Sequence, residues 1–356
     1  MRRGYLDWLR GLAVLIMFEG HILDSWTRLD GRGSSIYGWA MILGGFGAPL
    51  FLLLAGVSVA LSAGSKMRRG LHRKTASGAV VRRGLEIFGL AFLFRVQAMV
   101  VSWGPWWSLL KVDILNIMGP AIMAAAALWG AMKTTRGRLV GFALATLALT
   151  FLTPPVRATS ILAVLPDALE GYLRPRPGYT NFAVFPSAGF VFAGAFIGVL
   201  LDEARSAPVE RRLNTWFAAG GATLALAASA AAYLPSPFPN SEFWTSSPSY
   251  FLLRTGLLIV TVAVAYVWHL RPRAERTFSP LQQLGRTSLF IYWIHIELIY
   301  GLIVKPLHKS LTLGQAWIGV LVFTLLMLMA SLLKERVAAA WKARARPRWK
   351  MVDGKW

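Results

Sequence analysis

The chain has 356 residues, 56% of them apolar and only 15% charged, with 15 tryptophans and a formal net charge of +22 at neutral pH. So apolar a composition excludes an ordinary soluble surface, and blocks of about 17–25 apolar residues, the length that crosses a bilayer as helix, recur along the sequence. A pI near 11 does not here imply nucleic-acid binding, because the basic residues sit between apolar blocks and not along one face, and the absence of cysteine excludes disulfides, thiol nucleophiles and cysteine-based zinc sites.

Taken in order, the apolar blocks predict ten spans: 5–23, 38–63, 80–101, 113–132, 139–153, 182–201, 215–234, 249–268, 288–304 and 314–333. The start "MRRGYLDWLRGLAVLIMF" has the basic lead of a signal peptide. No small-residue cleavage site follows, and Glu19 and His21 interrupt the apolar run, so a retained first span is expected. The second span is long and the fifth short, which makes these two the ones expected to break or tilt. No internal repeat is visible.

Orientation follows from the basic residues between spans. With the N-terminus in the cytoplasm, and Arg82 and Arg83 counted at the inner mouth of the third span, 27 of the 38 Lys and Arg lie inside and 8 outside. Both termini are therefore expected in the cytoplasm. The sequence predicts an all-α, polytopic transmembrane bundle, one domain over residues 1–333, with a basic cytoplasmic tail over 334–356 lying against anionic headgroups (at the inner membrane, in a bacterium). Two external segments, 153–181 and 234–249, are rich in Pro and aromatics and suit lids or acceptor-binding loops.

The first span, "LDWLRGLAVLIMFEGH", carries Asp7, Arg10, Glu19 and His21. At about 100° per residue, Arg10 and His21, eleven apart, fall within roughly 20° of each other, and Asp7 shares that face. Glu19 points to the other side and is expected to anchor an interhelical hydrogen bond. Each charge near mid-bilayer costs about 2.5–3.5 kcal/mol, so the stripe should face a bundle interior or a wet cavity. Further polar residues within spans are Arg95, Arg254, His295 and Glu297, while Asp113 stands beside Lys111 at the start of the fourth span. No metal-ligand spacing occurs.

"LDWLRGLAVLIMFEGH" resembles the opening of the membrane acyltransferases, namely the acyltransferase-3 family and its relatives, the heparan-α-glucosaminide N-acetyltransferase-like proteins. The matching residues are Leu6-Asp7, Arg10-Gly11 and His21. "PLFLLLAGVSVALS", with Gly56 and Ser58, is similar to the family's second span, and "VVRRGLEIFGLAFLF" to its third. "KVDILNIMGPAIM" resembles the fourth-span motif of the glucosaminide-type branch. "RTSLFIYWIHIELIYG" resembles a late Ser-x-x-x-Tyr-x-x-His element, here Ser288, Tyr292 and His295. The glucosaminide-type relatives place a further His in the first external loop; residues 24–48 contain none, which points to His21 as the base.

The resemblance implies transfer of an acetyl or short acyl group from cytoplasmic acyl-CoA, with acetyl-CoA the expected donor and no metal required. The acceptor would be a carbohydrate hydroxyl or amine on the outer side. His21 would be the general base, as an imidazole titrating near neutrality suits proton abstraction. Arg10, Asp113, Asn116 and His295 would complete the site, with Asn116, Ser58, Tyr292 or His295 able to donate to the carbonyl oxygen. Donor phosphates want cations, and Arg10, Arg68, Arg69, Arg73, Lys74, Arg82 and Arg83 lie at the cytoplasmic side. The rival expectation is a transporter or lipid flippase in which the same intramembrane charges bind a solute or relay protons.

Overall fold

The computed structural model describes residues 3–238, 240–271 and 278–345. It is all-helical. In chain order the helices are α1 Gly4–Trp26, α2 Ser35–Gly44, α3 Gly47–Arg68, α4 Arg73–Val101, α5 Ile114–Ala131, α6 Thr135–Phe151 and α7 Thr153–Ala158. There follow α8 Asp167–Leu173, α9 Val184–Glu203, α10 Ala207–Ala231, α11 Pro248–His269, α12 Pro280–Arg286, α13 Ser288–Tyr300 and α14 Leu313–Ala345.

Among the described residues, seven helical stretches are long and apolar enough to cross a membrane, starting at Ser35, Arg73, Ile114, Thr135, Val184, Pro248 and Leu313. Ten were expected, and the other three predicted spans are helices of a different character. Helix α1 has 23 residues but carries Asp7, Arg10 and Glu19. Helix α10 has 25 residues, opens on Glu210, Arg211 and Arg212, and is diluted by Ala and Gly. Helix α13 has 13 residues and is short for a straight crossing.

The long second span does divide. Helix α2 stops at Gly44 and α3 starts at Gly47, with Gly45 and Phe46 between them. The sequence "GGFGAP" explains this: glycines interrupt one helix, and Pro49 sits in the first turn of the next, where its missing N–H costs no hydrogen bond. The fifth span also ends in a break, where α6 gives way to α7 at Leu152. At the far end α14 runs without interruption past residue 333 to Ala345, so residues 334–345 extend the last helix, and residues 346–356 of the expected tail lie outside the described residues.

Helix α1 is the axis of the bundle. It packs against α2, α3, α11, α12, α13 and α14, and it buries most of its length, Asp7 and Glu19 included. Beside it α3 and α9 cross at close range. A Cβ at Gly56 would stand 1.9 Å from the Val191 carbonyl oxygen, and one at Gly194 would stand 1.9 Å from that of Leu53. Glycine at both positions lets the two backbones touch, as small residues do between membrane helices. That crossing fixes α3, and with it Phe51 and Ser58, against α1.

Candidate active site

The polar face of α1 opens into two cavities, one near each end. At the N-terminal end the Arg10 guanidinium donates to Asp7 Oδ1 at 2.7 Å and to Ser58 Oγ at 2.7 Å, and Ser58 in turn donates to the Leu54 carbonyl. This three-residue spacing holds the Asp7–Arg10 pair on one helix face. Arg10 and Ser58 line a cavity of about 550 Å³ together with Lys66, Arg83, Glu86 and Phe51.

His21 lies at the other end, eleven residues and so about 16 Å up the same helix. It lines a larger cavity, of about 780 Å³, with Arg95, Asp113, Tyr292 and Tyr300. A ring pair links the two cavity walls: Phe51 lines the first, Tyr292 the second, and their rings lie 14° from parallel with centroids 6.5 Å apart. The Tyr292 hydroxyl is buried and has no hydrogen-bond partner.

Two contacts orient the His21 ring. Its Nδ1 is 3.3 Å from the Tyr300 hydroxyl, which also lies 3.3 Å from Asp24 Oδ2. When the phenol donates to the carboxylate, His21 Nδ1–H donates to the phenol oxygen, and Nε2 is left as the basic lone pair. His21 also stacks on His295, centroids 5.5 Å apart and 19° from parallel. His295 is fully buried; its Nδ1 lies 3.1 Å from the Ile291 carbonyl and 2.9 Å from that of Tyr292. Carbonyls only accept, so Nδ1 carries the proton, and Nε2 is a buried lone pair without a partner.

Asp113 does not pair with Lys111, whose ammonium instead sits 5.4 Å over the Trp107 ring. Asp113 is the N-cap of α5 and accepts from Arg95 at 2.9 Å, in a pair almost wholly buried. Asn116 closes the same cap: its Oδ1 accepts from the Asp113 backbone N–H at 3.0 Å, and its amide donates to the Tyr172 hydroxyl at 3.2 Å. Burial pushes the Tyr172 phenol up, so it stays protonated. Asn116 is thereby used at both ends and is absent from the cavity wall. Glu19 forms no interhelical hydrogen bond: both carboxyl oxygens are buried without a partner, against an apolar groove lined by Leu12, Phe46 and Leu258.

The expected donor-binding cations separate into two groups. Arg10 and Arg83 share the smaller cavity with Lys66. Arg68 is paired with Asp202 at 2.6 Å, and Arg73 caps α5 by donating to the carbonyls of Gly130 and Ala131. Arg69, Lys74 and Arg82 do not line the cavity, and Arg82 faces Glu86 at 3.7 Å. The two Pro-rich segments contribute to the wall of the His21 cavity, supplying Arg157, Asn181 and Trp244. The first is held down by Tyr179 and Asn181, whose backbones bond Val112 at 2.7 and 2.9 Å.

Residues 3–336 match the acyltransferase domain that defines the acyltransferase-3 family. The chain belongs to the acyltransferase-3 family. No match to an individual curated protein was found. The acyltransferase-3 match runs from the foot of α1 into α14 and so takes in both cavities and every helix between them. Family and apolar helices together make the chain a multi-pass membrane acyltransferase.

Sequence reasoning missed Tyr300 and Asp24 as neighbours of His21, and Lys66, Arg157 and Arg254 as cavity residues. A signal existed for Asp24, which follows His21 by three on one helix face. Arg254 was visible as a charge within a span and Arg157 as part of a candidate acceptor loop, but their meeting at His21, like that of Tyr300, is made only by tertiary packing.

Proposed function

We propose that this acyltransferase takes an acetyl or short acyl group from acyl-CoA at the Arg10 cavity and delivers it to an acceptor hydroxyl or amine in the His21 cavity. The first cavity faces the cytoplasm and the second the outer side. Both termini then lie inside, and α1, α10 and α13 bring the crossings to ten. The acceptor class is carbohydrate. Kinship with the glucosaminide-type branch rests on the "KVDILNIMGPAIM" motif at the foot of α5.

One observation carries this reading: a single helix presents a guanidinium to one cavity and an imidazole to the other, and Phe51 in the wall of the first stacks on Tyr292 in the wall of the second. Lys66, Arg83 and Arg10 supply cations for the donor's phosphates. The thioester end then extends along α1 toward His21. His21 Nε2 takes the proton of the acceptor, whose oxygen or nitrogen attacks the thioester carbonyl. The carbonyl oxygen becomes an oxyanion, and the Tyr292 hydroxyl, unpaired in the free protein, is placed to donate to it. The C–S bond breaks, and the departing thiolate takes the proton back from His21.

The test is transfer from labelled acetyl-CoA by the His21→Ala protein, after confirming that it inserts and stays monodisperse. Loss of general-base catalysis lowers the rate by about 10²–10⁴. Undiminished transfer removes His21 from the mechanism. Binding of CoA alone should raise the thermal midpoint; a solute carrier using the same charges would be indifferent to it.

A further inference from the structure

The charge in the His21 cavity does not balance. Three guanidiniums line it, Arg95 from α4, Arg157 from α7 and Arg254 from α11, and among the described residues Asp113 is the one carboxylate in the wall. Asp113 is already committed to Arg95. Among the described residues Arg254 has no carboxylate within ion-pair distance. It donates to the Gly45 carbonyl and is boxed by the rings of Phe46, Tyr250 and Phe190, at 5.5, 5.0 and 5.6 Å. Aromatic faces position a guanidinium, but they do not neutralise it. Among the described residues Arg157 has no ion pair either, and Glu242 acts on it only through space. The Nε–H groups of Arg95, Arg157 and Arg254 are all buried without an acceptor.

Cations held away from water without a counter-charge are unfavourable, and intramembrane charges that persist mark a ligand path. The guanidinium fork matches a carboxylate or a phosphate with two parallel hydrogen bonds. Trp244, Phe182 and Tyr300 offer flat apolar faces in the same cavity, suited to the face of a sugar ring.

We propose that the acceptor of this enzyme is anionic: Arg157 and Arg254 grip a carboxylate or phosphate on it, and so turn its hydroxyl or amine toward His21. This rests on the acyl-transfer reading of the His21 cavity and names the acceptor's charge. No residue of the Arg10 cavity takes part, so the anion site is distinct from the donor site.

The experiment uses the full chain in detergent at fixed ionic strength, with the thermal midpoint read against glucuronate, glucose 6-phosphate and glucose. One or both anionic sugars should raise the midpoint and glucose should not, and the anion that works tells carboxylate from phosphate. Arg157→Gln and Arg254→Gln should each weaken the apparent affinity at least tenfold. Arg254→Lys, which keeps the charge but not the fork, should fall between. An equal shift with glucose, no shift with either anion, or a full shift in the Arg157→Gln/Arg254→Gln protein overturns the proposal. The wild-type comparison of three sugars decides the matter even where the Gln variants do not fold. CoA is tested in the same samples: stabilisation by CoA with none by the anionic sugars sinks the anionic acceptor alone, while the reverse sinks the acyl-CoA reading alone.

Discussion

His21 and His295 lie ring on ring, centroids 5.5 Å apart and 19° from parallel, where α1 crosses α13. Phe18 flanks His295 from α1, also at 5.5 Å, and two backbone carbonyls hold its Nδ1. His295 is thus a fixed plate against which the His21 ring is set, and on the proposed mechanism its π face would stabilise an imidazolium at His21. His295→Ala should lower turnover about 100-fold, whereas His295→Phe, which restores a ring, should remain within about tenfold of wild type. Turnover measured at saturating donor separates the two, and equal loss in both variants would mean that the nitrogen and not the ring is needed.

The Tyr300 hydroxyl bridges His21 and Asp24. Tyr300→Phe should reduce kcat by about tenfold, less than the roughly 10²–10⁴ of direct proton transfer because the phenol only positions the base, and leave KM for acyl-CoA unchanged. Asp24→Asn should do the same. The double variant should be no worse than either single one, because groups acting through one relay are not additive. Steady-state kinetics on the three proteins checks this; additive losses would separate Asp24 from the relay.

Asp113 and Arg95 form a buried pair at the start of α5. Removing one partner of such a pair costs about 3–5 kcal/mol, so Asp113→Ala should lower the thermal midpoint sharply. Arg95→Met/Asp113→Leu should recover much of the loss. Asn116→Ala removes only half of a cap, costs about 1 kcal/mol, and should keep most activity. Thermal unfolding with parallel transfer assays distinguishes the three.

On the donor side, Arg83→Ala and Lys66→Ala should each raise KM for acyl-CoA about tenfold at unchanged kcat, the value of one charge-assisted hydrogen bond. Arg68→Ala and Arg73→Ala should instead lower the midpoint and spare KM, because their guanidiniums are held by Asp202 and by the end of α5. A KM effect in Arg73→Ala would place the donor nearer the turn between α3 and α4.

The local pattern of α1 made the site's axis legible: the residues Asp7, Arg10 and His21 recur at helical spacing, and such a stripe must avoid lipid. The break in the second span was legible too, from its length and glycines. The role of each basic residue around the α3–α4 turn was not, because composition marks a segment as positive without saying what each cation meets. Arg68 is held by Asp202 of α9 and Arg73 by the carbonyls that end α5, whereas Arg83, paired within its own helix to Glu86 at 3.0 Å, lines the Arg10 cavity. Asp113 was placed beside the wrong cation for the same reason: its partner Arg95 lies one helix back, on α4. The excess of guanidinium over carboxylate around His21 was out of reach altogether, since it is assembled from α4, α7 and α11.

Phe51 and Tyr292 have one more consequence. A continuous water column through the bundle would let protons and salts leak down their gradients at every turnover and between turnovers. The near-parallel rings of Phe51 and Tyr292, one in each cavity wall, are placed to interrupt such a column, so that group transfer across the bilayer, as proposed above, need not short-circuit the cell that performs it.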